Sequence, residues 1–414
     1  MYSLMAGLIL LSFASFSWFI LRDFFHPSLV FTAIWGVGLC AISLTPSLGF
    51  FEVESDALLI FVAGGLVFCF ASMGMERLLS HTGINTESFF YSEINYKKVF
   101  FTFALLHMLI LPFALADLQA LGDSFEQIAY AARAMSVSGD AVFGKITSNY
   151  LLVGLVLIPL MLKAVATQKI SFTAFLIISV PWCIFILIGT GRAALIQMLL
   201  GLLIVYHLSS GRLPIKVIMV ASSVLGVVLI AGAIATNKVD LSANAGVGEM
   251  VFVFLRHLAG YALQGPILFS LYFDKIIDVF PNWSPFVSFC HLLSALQMCT
   301  PQSVHADFNQ YGPGLDGNVY SIYFSIYPNF GAVGALLFLT MYSLFSTYIY
   351  FYAKSGNILC LVISAYLYSA SVLSLFSDTF LPSLWFFIKV LCVVIAVLIF
   401  FSVRSPSLQQ RHVA

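Results

Sequence analysis

The chain has 414 residues, of which 61% are hydrophobic and only 9% are charged. Soluble domains are about one quarter charged, so this composition excludes an ordinary soluble globular domain. The formal net charge is zero and no basic tract is present, which argues against a nucleic-acid partner.

Apolar runs recur along the chain, and a run of about 17–25 residues can cross a hydrocarbon core of roughly 30 Å as a helix. The runs lack the alternating pattern of barrel strands. They predict an all-α, polytopic integral membrane protein with about eleven transmembrane helices. In chain order, the predicted spans are 4–21, 28–46, 57–74, 98–115, 147–164, 171–189, 193–209, 217–235, 330–352, 357–375 and 384–402.

Two connections are long, at 116–146 and 236–329, within what we interpret as a single transmembrane domain over 1–414. The longer connection is rich in Phe and Tyr and contains Trp283, which disordered tracts avoid. We therefore expect it to contain helices. The apolar stretch 250–273 within it is an alternative extra span, although Arg256, His257 and Gln264 argue against a lipid-facing one.

The distribution of Lys and Arg predicts the orientation, because basic residues concentrate in cytoplasmic loops. With the N-terminus placed outside, eleven basic residues are cytoplasmic: Arg22, Arg77, Lys97, Lys98, Lys163, Lys169, Arg212, Lys216, Lys354, Arg404 and Arg411. Six are outside, namely Arg133, Lys145, Arg192, Lys238, Arg256 and Lys275, and Lys389 lies within the last span. The split predicts an outer N-terminus, a cytoplasmic C-terminus and two long outer loops.

The seven cysteines show no metal-ligand spacing. Five fall inside predicted spans, where a cysteine is an ordinary small core residue. Cys290 and Cys299 share the long outer loop, where an oxidising compartment would allow a disulfide.

Three outer arginines stand out. Arg192 ends a Gly-Thr-Gly-Arg turn, Arg256 lies in an otherwise apolar stretch, and Arg133 has acidic residues nearby in sequence. Each could reach lipid headgroups or pair with an acid. The planar guanidinium also suits bidentate binding of phosphate oxygens, so a lipid-linked sugar diphosphate is an alternative ligand. Outer acids are scattered and contain no DxD pattern, so we expect no metal.

The segment 310–334 joins a Gly- and Pro-rich loop to an aromatic stretch. Asp316 and Asn318 could bond sugar hydroxyls, and tyrosines such as Tyr320 and Tyr327 could stack on sugar rings. An interfacial aromatic belt is the alternative interpretation. No serine-hydrolase, zincin or nucleotide-binding motif is present.

On these features the chain resembles the Wzy-type O-antigen polymerases. The resemblance is carried by length, early His26-Pro27-Ser28, the turn ending at Arg192, the large late outer loop closing on Asn318, and the stretch Phe330-Gly331-Ala332-Val333-Gly334. The resemblance extends over the whole chain in the order of its spans and loops. It implies a GT-C-like membrane fold in the bacterial inner membrane.

The resemblance implies a glycosyl transfer on the periplasmic face, without a cofactor. A chain linked to undecaprenyl diphosphate would move onto a new lipid-linked repeat unit, with a chain-length regulator as a further partner. Arg192 and Arg256, with Arg133, would bind the diphosphate. His257, His305 and Asp316 are the candidate general bases, since a base must reach the acceptor hydroxyl.

Two other functions remain open at this point. An O-antigen ligase would move the same donor onto lipid A-core and shares the membrane layout. A flippase for lipid-linked units is the alternative from a different class, but transporters commonly show internal repeats and mid-membrane charges. No internal repeat is evident in this sequence, and the predicted spans hold little charge beyond Lys389.

Overall fold

A computed structural model describes residues 1–82, 89–138, 142–188, 192–212, 247–277, 286–294, 296–300 and 308–403, together with positions 215, 219 and 223. Within these ranges the chain is nearly all-α. The predicted span 217–235 lies outside the described residues except at 219 and 223.

Thirteen α-helices can be numbered in chain order among the described residues. They are α1 (Tyr2–Leu21), α2 (Pro27–Ile42), α3 (Ser55–Ser80), α4 (Tyr96–Gln119), α5 (Phe125–Ser138), α6 (Lys145–Ala166), α7 (Phe172–Ile188), α8 (Arg192–Ser210), α9 (Val247–Phe273), α10 (Val287–Ser294), α11 (Ile322–Lys354), α12 (Ile358–Val372) and α13 (Leu384–Phe401). Short 3-10 helices occupy Thr45–Leu48, Phe89–Tyr91, Leu373–Leu375 and Leu381–Ser383.

The apolar helices confirm the prediction of membrane-spanning character. Seven helical segments are long and apolar enough to cross a bilayer: Tyr2–Leu21, Ser55–Ser80, Tyr96–Gln119, Lys145–Ala166, Ile322–Lys354, Ile358–Leu375 and Leu381–Phe401. Three shorter apolar helices, Pro27–Ile42, Phe172–Leu187 and Ala194–Ser210, correspond to further predicted spans. The described part of the chain is therefore a helical membrane protein.

The chain forms two compact units, each built from separate stretches of sequence. The first comprises Met1–His81, Met219–Tyr348 and Ala370–Leu384. The second comprises Thr82–Ile218, Ile349–Ser369 and Trp385–Ala414.

In the first unit, α1, α2 and α3 pack together around a core of large aromatic side chains. Trp35 is fully buried, and its indole nitrogen donates a 2.9 Å hydrogen bond to Ser374 Oγ. Phe31 stacks on Phe68 with ring centroids 4.0 Å apart. The hydrogen bond matters because an unpaired buried N–H would be costly.

Helix α11 begins earlier than the sequence pattern predicted. The predicted span started at residue 330, whereas the helical segment starts at Ile322 and is interrupted at Gly331, which has φ 63° and ψ −167°. Only glycine adopts this backbone conformation readily. The aromatic stretch before Gly331 therefore forms its own short helix at the start of α11.

The long connection 236–329 contains helices, as predicted, and also a β-hairpin that the Gly- and Pro-rich sequence did not reveal. Strands β2 (Asn309–Gly312) and β3 (Leu315–Gly317) pair antiparallel, with Gln310 opposite Asp316. Cys290 and Cys299 are joined by a disulfide, in agreement with the pairing considered from the sequence.

In the second unit, α6 packs against α4, α7 and α8. Trp182 is fully buried, and its indole nitrogen donates to the Leu151 carbonyl at 3.1 Å. His107 Nδ1 and the Tyr150 hydroxyl form a hydrogen bond between α4 and α6. Two short strands, β1 (Glu93–Ile94) and β4 (Ser402–Val403), pair antiparallel.

Candidate functional site

One face of α9 carries the polar residues of the first unit's candidate site. Arg256, Gly260 and Gln264 are four residues apart, so they lie one above another along the helix. This face packs against the hairpin and against the segment 48–51, which follows α2. Its periodicity explains why the stretch 250–273 is apolar overall and yet carries an arginine and a glutamine.

Arg256 is half-buried and anchored through one nitrogen. Its Nε donates a 2.9 Å hydrogen bond to the Leu48 carbonyl. Gly49 leaves room for the guanidinium, since a Cβ at that position would lie 3.2 Å from Arg256 Nη2. Among the described residues, no carboxylate forms an ion pair with Arg256. The terminal nitrogens of the Arg256 guanidinium are thus available to bind an anion.

Tyr311 of β2 lies beside Arg256. Its side chain is 8% exposed, and its ring contacts Phe50 edge-on with centroids 5.1 Å apart. Burial raises the pKa of the Tyr311 hydroxyl, the Arg256 guanidinium opposes that shift, and Asp316 adds to it. The phenol is therefore held in its neutral, proton-donating form.

His257 points to the neighbouring face of α9. Its ring contacts Tyr261 edge-on at 4.8 Å, and Tyr261 stacks on Phe376 with centroids 6.3 Å apart. The half-buried imidazole thus belongs to the same end of the first unit as Arg256. It remains a candidate base by position.

The two tyrosines predicted to meet sugar rings have different surroundings. Tyr320 accepts a 2.8 Å hydrogen bond from Asn309 Nδ2 and contacts Phe324 with centroids 4.5 Å apart. The Tyr327 ring contacts Phe269 edge-on at 5.2 Å, and Phe273 at 5.7 Å. Protein aromatic side chains thus account for much of the Tyr327 packing.

Asp316 and Asn318 are both exposed, on β3 and immediately after it. Asp316 also acts electrostatically on Tyr311, as its effect on the Tyr311 pKa indicates. The structure therefore brings Arg256, His257, Asp316, Asn318 and Tyr320 into one part of the first unit.

The remaining predicted site residues lie in the second unit or outside the described residues. Arg133 lies in α5 and Arg192 is the first residue of α8; both belong to the second unit, and their side chains are outside the described residues. His305 also lies outside the described residues. Of the three arginines in the predicted diphosphate site, Arg256 is the one with a described side chain.

Two polar groups at this end of the first unit were not predicted as site residues. Gln264 is 4% exposed and packs against Gly317, and its Oε1 accepts no hydrogen bond from the described residues. The signal in the sequence was its position two helical turns after Arg256.

Asp378, in the loop after α12, was also missed. One carboxylate oxygen accepts the Phe380 and Leu381 N–H groups at 2.9 and 3.2 Å, and the other accepts the Ser325 hydroxyl. Burial raises the pKa of this carboxyl, and the hydrogen bonds oppose the shift. In the sequence, Asp378 is a lone acid between two apolar runs.

Within the described ranges, no group of three or more His, Cys, Asp and Glu side chains is placed to bind a metal ion. No family model, curated protein or solved structure matches the chain.

Proposed function

We propose that the chain is a Wzy-type polysaccharide polymerase, a glycosyltransferase that joins oligosaccharide repeat units carried on undecaprenyl diphosphate. The observation that supports this proposal best is Arg256. It is a half-buried guanidinium anchored by its Nε to the Leu48 carbonyl, without an acidic partner among the described residues. Such a group favours an anionic ligand.

The proposed topology has eleven spans, with the N-terminus in the periplasm and the C-terminus in the cytoplasm of a bacterial inner membrane. The packing of Arg256 against the segment after α2 supports it, because the basic-residue count assigns both to the outer side. Arg256 would then lie near the depth of the lipid diphosphate.

In the proposed reaction an acceptor hydroxyl attacks the anomeric carbon of the donor. The bond from that carbon to the diphosphate oxygen breaks, and the lipid diphosphate leaves with the electron pair. Arg256 would stabilise the negative charge that develops on the leaving group. Arg192 and Arg133 are the other two arginines proposed for this role.

The proton of the acceptor hydroxyl requires a base. His257 and Asp316 are the candidates with described positions, and His305 is the third. The exposed Asp316 and Asn318 would contact sugar hydroxyls near the hairpin, and Tyr320 and Tyr327 would stack on sugar rings. No cofactor is required for this transfer, and a chain-length regulator is the expected protein partner.

The O-antigen ligase and the flippase remain the alternatives, and a gene deletion separates the first from our proposal. We expect deletion to leave lipopolysaccharide capped with a single repeat unit, and restoration of the gene to return the long ladder. Lipopolysaccharide without any repeat would favour the ligase and overturn the polymerase.

A further inference from the structure

The hairpin places a second hydrogen-bond donor next to Arg256. The Tyr311 side chain is 8% exposed, and its hydroxyl takes part in none of the hydrogen bonds among the residues that the structure describes. A phenol O–H group can donate one hydrogen bond. In the described part of the chain that proton has no acceptor, so a ligand oxygen could accept it.

One short segment fixes both residues. Arg256 Nε donates to the Leu48 carbonyl at 2.9 Å, and the Phe51 N–H donates to the Tyr311 carbonyl at 2.9 Å. The Tyr311 ring also rests edge-on against Phe50, 5.1 Å away between centroids. The guanidinium and the phenol are thus held by four consecutive residues.

Gly260 lies directly beside the Tyr311 hydroxyl and leaves room for it on α9. A Cβ at position 260 would lie only 2.5 Å from the Tyr311 hydroxyl oxygen. Gly260 follows Arg256 by four residues, which is about 6 Å along the helix axis. The Tyr311 hydroxyl therefore lies against the same face of α9 that carries Arg256, and Arg256 acts electrostatically on it.

We propose that the Tyr311 hydroxyl is a second donor to the diphosphate held by Arg256. The inference rests on the proposed function and adds a binding residue to it. A neutral phenol donates to a phosphate oxygen without adding charge, and Arg256 supplies the cation. The raised pKa of Tyr311 keeps that proton in place.

The test is equilibrium binding of farnesyl diphosphate to the purified full-length protein in detergent. Tyr311→Phe removes the hydroxyl and keeps the ring against Phe50. We expect it to weaken binding roughly tenfold, the typical effect of losing a hydrogen bond to a charged group. The matched control is Tyr91→Phe, which removes a hydroxyl bonded to Ser355 in the second unit and should bind as the wild type does.

A second pair of variants moves the hydroxyl without removing it. Gly260→Ala would push the Tyr311 phenol aside, whereas Gly248→Ala meets nothing within 4 Å on the same helix. We expect the first to weaken binding about as much as Tyr311→Phe and the second to leave it unchanged. Thermal unfolding of each variant identifies any that fail to fold.

The outcomes separate the two proposals. Wild-type affinity in folded Tyr311→Phe, with binding lost in Arg256→Ala, would overturn the role of Tyr311 and leave the arginine site standing. Absence of any farnesyl diphosphate binding by the wild type would overturn both. Weakening in Tyr311→Phe and Gly260→Ala, but not in their controls, would support the second donor.

Discussion

The Nε of Arg256 donates a 2.9 Å hydrogen bond to the carbonyl of Leu48, 208 residues earlier in the chain. This contact fixes the guanidinium plane between α9 and the segment that follows α2. Because the anchor uses Nε, the terminal nitrogens remain for a second, anionic partner.

Arg256→Ala should abolish long polysaccharide chains while the protein still inserts into the membrane. Arg256→Lys should restore little activity, since an ammonium cannot reproduce the planar fork or the bond to Leu48. Losing such a charged hydrogen-bonding group should slow polymerisation roughly tenfold or more. Ladder length on gels measures this, with Arg77→Ala, an exposed arginine of α3, as the control. Wild-type ladders from Arg256→Ala would remove Arg256 from the site.

Arg192 is the first residue of α8 and follows Gly189-Thr190-Gly191 in the sequence. We expect Arg192→Ala to shorten or abolish the ladder, because its guanidinium is proposed to bind the lipid diphosphate. Ladder length on gels measures this, with Arg212→Ala as the control. A ladder of wild-type length from Arg192→Ala would show that Arg192 is not needed for polymerisation.

The disulfide between Cys290 and Cys299 predicts an oxidising environment for α10. Neither thiol should react with a maleimide until a reductant is added. Cys290→Ser with Cys299→Ser should destabilise the protein by about 2–3 kcal/mol, from the loop entropy of a short closed loop. Cys392→Ser, which removes an exposed free thiol, is the control. Full labelling without reductant would contradict the predicted outer location.

Asp378 should make stability depend on pH. Its carboxyl has a pKa raised above the ordinary 3.8 because burial disfavours the charged form. The contribution of Asp378 to the free energy of unfolding is therefore complete below pH 3.8. It declines as the pH rises through the raised pKa of the folded protein. Thermal unfolding in detergent from about pH 4 to about pH 7 should show this decline in the wild type.

Asp378→Asn should reduce that decline, since the amide stays neutral while its carbonyl still accepts the Phe380 and Leu381 N–H groups. Asp56→Asn removes an exposed acid in the first turn of α3 and should keep the wild-type slope. Equal slopes in the wild type and Asp378→Asn would show that Asp378 does not cause the pH dependence.

The membrane-spanning character of the apolar helices was predictable from the sequence, because lipid requires uninterrupted apolar runs and the backbone must bond within each helix. The same rule could not place the break at Gly331, which depends on one left-handed residue inside an apolar stretch. Nor could it reveal the hairpin, which packs against α9 and the segment 48–51, far from it in sequence.

The site was predictable only in part, for a similar reason. Arg256 and His257 stood out because charges are costly in an apolar stretch. Tyr311 did not, since tyrosine is ordinary at a membrane surface and its proximity to Arg256 arises from residues far apart in sequence. Asp378 carried the same kind of signal as Arg256, yet its bonds to Ser325 and the following backbone required the fold.

The most direct test of the account is polymerisation by the purified protein in detergent, with undecaprenyl-diphosphate-linked repeat units as the sole substrate. We expect the wild type to produce a ladder of lengthened glycans and Arg256→Ala to leave single repeats. A detergent micelle has no sealed compartment, so a ladder would also exclude a purely transporting protein. A wild-type protein that folds and binds the donor but never lengthens it, or an undiminished ladder from Arg256→Ala, would contradict the account.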